Sequence, residues 1–315
     1  MSPAGPGAAT PGEGRGWAPG KLILVGEHAV VYGHPAISLA IDRGTEAVAR
    51  SRPGASGIDR SEVLGPDGVL CPFPADPRLG PALATVLPPE GVGLSLRSTL
   101  PIGRGMGSSA ALAVATLRAL AALDGSSLDH ETCISKGFLV ERVFHGTPSG
   151  LDHTVSTRGG ALCYRRGAQG LTLRPLQLAA LRLVVLDSGV AGDTAQMVAG
   201  VASRRPQVDA ALSRIGALVE RVVALLDAPG APALDLLGEA LTENHGLLRE
   251  IGVSTPDLDA LVALALSAGA LGAKLAGAGG GGVVVALVSE PEPLLRAAAA
   301  AGVTAFPVSL SPNQA

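Results

Sequence analysis

Apolar residues at Val208, Ala211, Leu212, Ile215, Leu218, Val219 and Val222 recur every three or four positions. That spacing predicts an amphipathic helix over 208–226. The stretch LDLLGEALTENHGLLREI (234–251) repeats the pattern, and TPDLDALVALALSAG opens a further helix with Thr255 as its N-cap and Pro256 at its first turn. The period changes to two in GVGLSLRSTL, where Val92, Leu94 and Leu96 alternate with Gly93, Ser95 and Arg97 as in a half-buried strand. KLILVG and HPAISLAID read as short strands around the turn-prone GEHAVVYG, and ALRLVVLDSG as a strand entering a turn. Ser109 to Leu123 reads as a helix closed by Gly125, a second helix covers DHETCISKGFLVERVFHG, and AKLAGAGGGGVVVALV is a glycine loop feeding a β-branched strand. Residues 51–80, rich in Gly, Pro, Ser and Asp, predict an irregular excursion. No internal repeat is present.

Strands with interspersed helices, then mainly helices, then a strand imply an α+β chain of two lobes, with a boundary near residue 180. The expected division is a disordered leader over 1–16, a first lobe over 17–180 and a second over 181–315.

Composition narrows the function. At 315 residues, 47% apolar and 2% aromatic, the chain buries a large core. A net charge of -3 without any basic run argues against a nucleic-acid surface and leaves room for small anionic ligands held locally. Cys71, Cys133 and Cys163 are odd in number and widely spaced, which argues against a zinc site or a disulfide framework and for a reducing cytoplasm. No signal-like or membrane-length apolar segment is read, so no membrane partner is expected.

One stretch carries candidate chemistry by itself. In PIGRGMGSSAALAVATLRAL (101–120), Gly103, Gly105 and Gly107 bare the backbone just before a helix, whose first N–H groups and positive dipole end attract anions. Ser108 and Ser109 add hydroxyls suited to a phosphate oxygen or a phosphate-bound Mg²⁺. The plainer alternative is a tight turn with one of these serines as the helix cap. Elsewhere, polar residues gather at Lys21, Glu27 and His28 in WAPGKLILVGEHAVVYG, and at Glu141 and Asp152 in VERVFHGTPSGLDHTVSTRGG, with Asp152 placed in a Gly/Pro/Ser loop. Taken singly, each fits a solvated surface role as well as a functional one.

Together, APGKLILVGEHAVVYGHPA, PIGRGMGSSAA, HGTPSGLD and KLAGAGGGG, in that order, resemble the motifs of the GHMP kinases from about Trp17 onward. DSGVAGDTAQMVAGV (187–201) extends the resemblance toward the members acting on a small hydroxy acid. The resemblance implies a two-lobed fold, an N-terminal nucleotide-binding lobe and a helix-rich C-terminal lobe, with the active site between them. It implies ATP- and Mg²⁺-dependent phosphorylation of a terminal hydroxyl, in isoprenoid precursor synthesis, by a cytoplasmic homodimer. Another small-molecule kinase of the family, or a nucleotide-binding relative without turnover, are the alternatives. Carried over residue by residue, Asp152 is the base facing the substrate hydroxyl and Lys21 its neighbouring cation. Ser109 and Glu141 hold Mg²⁺. Gly103, Arg104, Gly105, Met106, Gly107, Ser108 and Ser109 wrap the triphosphate, with Ser98 near the nucleotide. Glu27, His28, Thr194, Gly279 and Gly280 border the substrate. Arg104 and Met106 stand where a small residue and leucine are frequent, and Arg104 reaches either a phosphate or solvent. His145 and His153 are expected to be structural or supporting, not acid–base groups.

Overall fold

Gly14 and Gly16 decide how the chain begins. A Cβ on either would lie 2.1–2.2 Å from the backbone carbonyls of Ala119 and Ala115, so only glycine lets this strand lie flush against the helix above it. The computed structural model describes residues 12–65, 68–146, 148–167, 170–178, 181–228 and 233–312. In chain order these form β1 (Glu13–Val25), β2 (Ala36–Ala55), β3 (Gly57–Leu64), β4 (Leu70–Pro72), α1 (Leu79–Ala84), β5 (Glu90–Ser98), α2 (Ser108–Leu123), α3 (His130–His145), α4 (Leu151–Arg158), β6 (Ala161–Gly167) and β7 (Gly170–Leu176). Then follow β8 (Leu183–Asp187), α5 (Thr194–Ser203), α6 (Asp209–Asp227), α7 (Leu234–Glu250), α8 (Pro256–Ser267), β9 (Gly272–Ala276), β10 (Val283–Leu287), α9 (Pro291–Ala300) and β11 (Ala305–Val308).

The first seven strands make one sheet in the order β4-β3-β5-β2-β6-β7, with β1 also paired to β2. The last four make a second, antiparallel sheet ordered β11-β8-β10-β9. Helix α6 buries Ala211, Leu212, Ile215, Leu218, Val219 and Val222, the stripe its period predicts. Thr255 caps α8 by accepting the Leu258 N–H, and Pro256 opens it. After β11 the chain returns to the first sheet: Asp42 N donates to Ser309 O, Ser311 N to Ala40 O and Gly160 N to Ser311 O, at 2.8–3.1 Å.

Two expectations are corrected. Strand β1 starts at Glu13, with Glu13 paired to Arg50 and Arg15 to Glu46, so residues 13–16 are ordered sheet rather than leader; residues 1–11 lie outside those described. The expected excursion over 51–80 instead holds the end of β2, then β3, β4 and α1, with β3 running parallel to β5 from Gly57↔Gly93 to Val63↔Ser98. These strands sit half-exposed at one side of the sheet, so they need no apolar alternation to be stable there. Among the described residues no helix is long and apolar enough to cross a membrane.

Candidate active site

The loop from β5 to α2 keeps Gly103, Gly105 and Gly107 at φ of 74°, 78° and 73°. This left-handed region costs other residues roughly 1–2 kcal/mol each. Gly107 itself is the N-cap of α2, and no side chain caps the helix. Ser108 and Ser109 are therefore the first helical residues, not caps, and the first-turn N–H groups stay available to an anion together with the positive dipole end. Met106 turns into the core, nearly fully buried, while its carbonyl accepts the Lys21 N–H at 2.9 Å. Its part in the loop is thus to anchor it, through the side chain below and the carbonyl above.

That bond fixes Lys21, on β1, beneath the loop. Its Nζ donates to Gly105 O at 3.1 Å and lies 3.2 Å from Asp152 Oδ2. Lys21 is buried, whereas the Asp152 side chain keeps 29% of its surface exposed. Asp152 stands in the first turn of α4 and not in the preceding loop, because Gly150 adopts φ 90° and starts the helix there. The helix dipole favours a carboxylate at such a position.

Behind this pair, α3 carries Glu141, buried, with Oε1 making no hydrogen bond. Burial, then the nearby Asp152 charge, push its carboxyl up to about 8, against the opposing pull of Ser109 and Lys21. His145 Nε2 lies 3.2 Å from Ser109 Oγ and 3.9 Å from Glu141 Oε2, and burial lowers its pKa. His153 is buried edge-on against Phe138, and burial pushes it down to about 4, so it is neutral at ordinary pH. His145 thus contacts both Ser109 and Glu141, whereas His153 packs against Phe138.

The turn after β1 behaves differently from its expectation. Glu27 is sealed, with one carboxylate oxygen on Lys274 Nζ and the other accepting Asn244 Nδ2 at 2.9 Å. Both oxygens are engaged and the side chain is almost wholly buried. Lys274, fully buried on β9, also donates to Ile23 O at 2.9 Å. Glu27 is thus a strut joining the two sheets. His28, at φ 58°, bonds Ala278 O at 2.8 Å, and burial lowers its pKa despite that bond and the Glu27 charge. The glycine loop after β9 meets the phosphate loop through Gly277, whose Cβ would lie 3.3 Å from Gly105 Cα. Gly279 and Gly280 instead pack on Val253 and Met197, where a Cβ would come within 2.1 and 2.9 Å of existing atoms, so their absent side chains serve packing.

Three further expected positions separate. Ser98 is wholly buried, accepting the Leu100 N–H at 3.1 Å and the Thr45 hydroxyl at 3.2 Å, and so shapes the loop entry. Thr194 is exposed at the start of α5, where Asp193 caps the helix. Arg104 is ion-paired to Asp187 on β8 and donates to Gly189 O. Sequence reasoning missed Lys274 and Asn244, although Lys274 lies inside a quoted motif. It also missed exposed Arg166, whose guanidinium lies 2.9 Å from where a Gly150 Cβ would be.

An open helix end and a cation-held carboxylate, both touched by one buried lysine, define a phosphotransferase acting on a small alcohol. The chain belongs to the GHMP kinases: the family models for the GHMP kinases N terminal domain and the GHMP kinases C terminal domain match residues 78–160 and 224–305. A mevalonate kinase of Pyrococcus horikoshii is 38% identical, covering 86% of this chain and 87% of its own length. One of Thermococcus sibiricus is 37% identical over 87% and 89% of the two chains. The structure of L. major mevalonate kinase in complex with R-mevalonate superposes with a TM-score of 0.81 at 29% identity, covering all of both chains.

Proposed function

We propose that this protein transfers the terminal phosphoryl group of ATP to the C5 hydroxyl of mevalonate, giving 5-phosphomevalonate and ADP for isoprenoid precursor synthesis. The observation that carries the reading is the Lys21 ammonium bridging Gly105 O of the phosphate loop and the Asp152 carboxylate. The named relatives supply the acceptor. The α2 N-terminus and the bare loop hold the phosphates through backbone N–H groups. Asp152, part-exposed, accepts a hydrogen bond from the acceptor hydroxyl and orients its oxygen. A primary alcohol is too weak an acid to ionise at neutral pH, so the proton passes to Asp152 only as the new O–P bond forms. Lys21 pairs with the carboxylate and steadies the charge growing on the oxygen. Arg166, beside Gly150, supplies positive charge for the carboxylate of a hydroxy acid.

The residues also fit Mg²⁺. Glu141 Oε1 is a buried acceptor without a partner, and Ser109 adds a hydroxyl, both hard oxygen donors. Among the described residues no group of three His, Cys, Asp or Glu is arranged to hold a metal; Glu141 and Ser109 would hold the ion together with the nucleotide. When bound it neutralises charge on the phosphates. Glu141→Gln is expected to raise the Mg²⁺ concentration needed for half-maximal rate by at least the roughly tenfold that loss of a supporting partner costs; a titration of rate against Mg²⁺ that is unchanged removes Glu141 from the ligands. We place the change of lobe near residue 180, between β7 and β8, and the enzyme in the cytoplasm, consistent with three free cysteines.

The reaction is tested by ADP release with Mg-ATP and, in parallel, mevalonate, phosphomevalonate, galactose and homoserine. Release with mevalonate alone is expected. Release with another acceptor keeps the chemistry and overturns the substrate, and silence with all four overturns both.

A further inference from the structure

Arg104 sits between Gly103 and Gly105, where an arginine is well placed to aim at phosphate. Its guanidinium is committed elsewhere. Nε lies 3.1 Å from Asp187 Oδ1 and 3.2 Å from Oδ2, and Nη2 donates to Gly189 O at 2.9 Å. Asp187 Oδ1 also accepts the Gly189 N–H at 2.8 Å, so arginine, carboxylate and turn form one closed unit. The two side chains keep only 19% and 12% of their surface, which shields the pair from ionic screening.

The unit lies at one end of the second sheet. Ser188 N donates to Gly282 O and Gly282 N to Val190 O, at 3.0 and 2.8 Å, and a Cβ on Gly192 would lie 2.7 Å from Gly279 O. Segments 187–193 and 277–282 are therefore a single wall. A Cβ on Gly282 would lie 3.0 Å from Arg104 O, and one on Gly105 3.2 Å from Ala276 O, so the phosphate loop leans on this wall by its backbone as well. The wall leads directly into Thr194 and carries Ala278, whose carbonyl holds His28. Arg104 is the charged tie between the phosphate loop and the wall whose Ala278 carbonyl holds His28.

We propose that Arg104, through Asp187, is a positioning residue that couples nucleotide binding to acceptor binding, and is not a phosphate ligand. The proposal rests on the reading that ATP occupies the α2 end and the acceptor the Asp152 side. A nucleotide that orders the phosphate loop orders the wall through this tie. By linkage, the acceptor then tightens the nucleotide by the same factor.

The test uses the wild type and the Arg104→Ala, Arg104→Lys, Asp187→Asn and Arg104→Ala/Asp187→Asn variants. Turnover with mevalonate is measured first in the wild type, so that a wrong acceptor shows itself as absent ADP release and is separated from absent coupling. Affinities for ADP and for mevalonate are then measured by calorimetry, each alone and each with the other saturating. In the wild type, each ligand is expected to tighten the other by roughly five- to tenfold, within the usual range of such coupling. In Arg104→Ala, Asp187→Asn and the double variant, that factor falls to about twofold or less, equally in all three, since one interaction is lost each time. Affinity for ADP alone stays within about twofold of wild type. Arg104→Lys retains part of the coupling, because an ammonium reaches the carboxylate but not Gly189 O as well. A phosphate ligand gives the opposite pattern: Arg104→Ala weakens ADP alone by about tenfold, and Asp187→Asn, which frees the cation, tightens it. That pattern, or a wild type without coupling, overturns the proposal. Should Arg104→Ala fail to fold, Asp187→Asn alone decides, because the tie leaves ADP affinity alone within about twofold and abolishes the coupling, whereas a phosphate ligand tightens ADP.

Discussion

Asp152→Asn is expected to lower kcat by two or more powers of ten while ATP still binds, the usual scale for a positioned acid–base group. The amide occupies the same volume in the first turn of α4 and can still meet the acceptor hydroxyl. It cannot accept the proton as the O–P bond forms, and it removes the negative partner that lies 3.2 Å from Lys21. Lys21 keeps its bond to Gly105 O, so the phosphate loop stays in place. Steady-state rates with Mg-ATP and mevalonate, together with nucleotide affinity by calorimetry, check both halves. A variant within about threefold of wild-type kcat removes Asp152 from the reaction. Loss of nucleotide binding instead assigns it to holding the loop.

Lys274→Met is expected to be the most destabilising of these substitutions. Lys274 is fully buried, and burial pulls its pKa down while Glu27 pulls it up. Methionine fills similar volume but leaves the Glu27 carboxylate in the interior with only the Asn244 amide. Breaking one side of a buried pair costs roughly 3–5 kcal/mol, because an uncompensated charge stays behind. A melting temperature lower by about 5–8 °C follows from that cost in a chain of this size. Removing the stranded charge as well, in Glu27→Gln/Lys274→Met, is expected to recover about half of the loss or more. Differential scanning calorimetry of wild type, single and double variants decides it. A single variant melting within a degree or two of wild type, or a double variant no better than the single, shows that the pair is not a strut.

The site was legible where local chemistry forces a residue type. Three glycines ahead of an alanine-rich helix imply an open helix end, and the left-handed φ of Gly103, Gly105 and Gly107 is the local reason. The contact between Lys21 and Asp152 followed only from the family resemblance, since 131 positions separate them and no spacing rule reaches that far. Helices α4, α5 and α9 and strands β6, β7 and β11 were not predicted. VSTRGGALCYRRG (155–167) mixes a helix end, a two-glycine turn and an outward-facing strand, so no single period dominates it. The polar face of β3 misled for a related reason: half-exposed strands at one side of a sheet carry little hydrophobic alternation.

By itself the sequence determined the elements with a strong apolar pattern or an apolar run: α2, α3, α6, α7 and α8, the strands β5, β8 and β10, and the bare loop that ends in an uncapped helix. Only the tertiary structure decided what each charged group meets. It set Glu27 between Lys274 and Asn244, tied Arg104 to Asp187, and packed Gly279 and Gly280 against Val253 and Met197. The physical reason is range. Helix and strand periods are set by neighbours within a few residues, whereas the partner of a buried charge is whichever opposite group folding brings beside it.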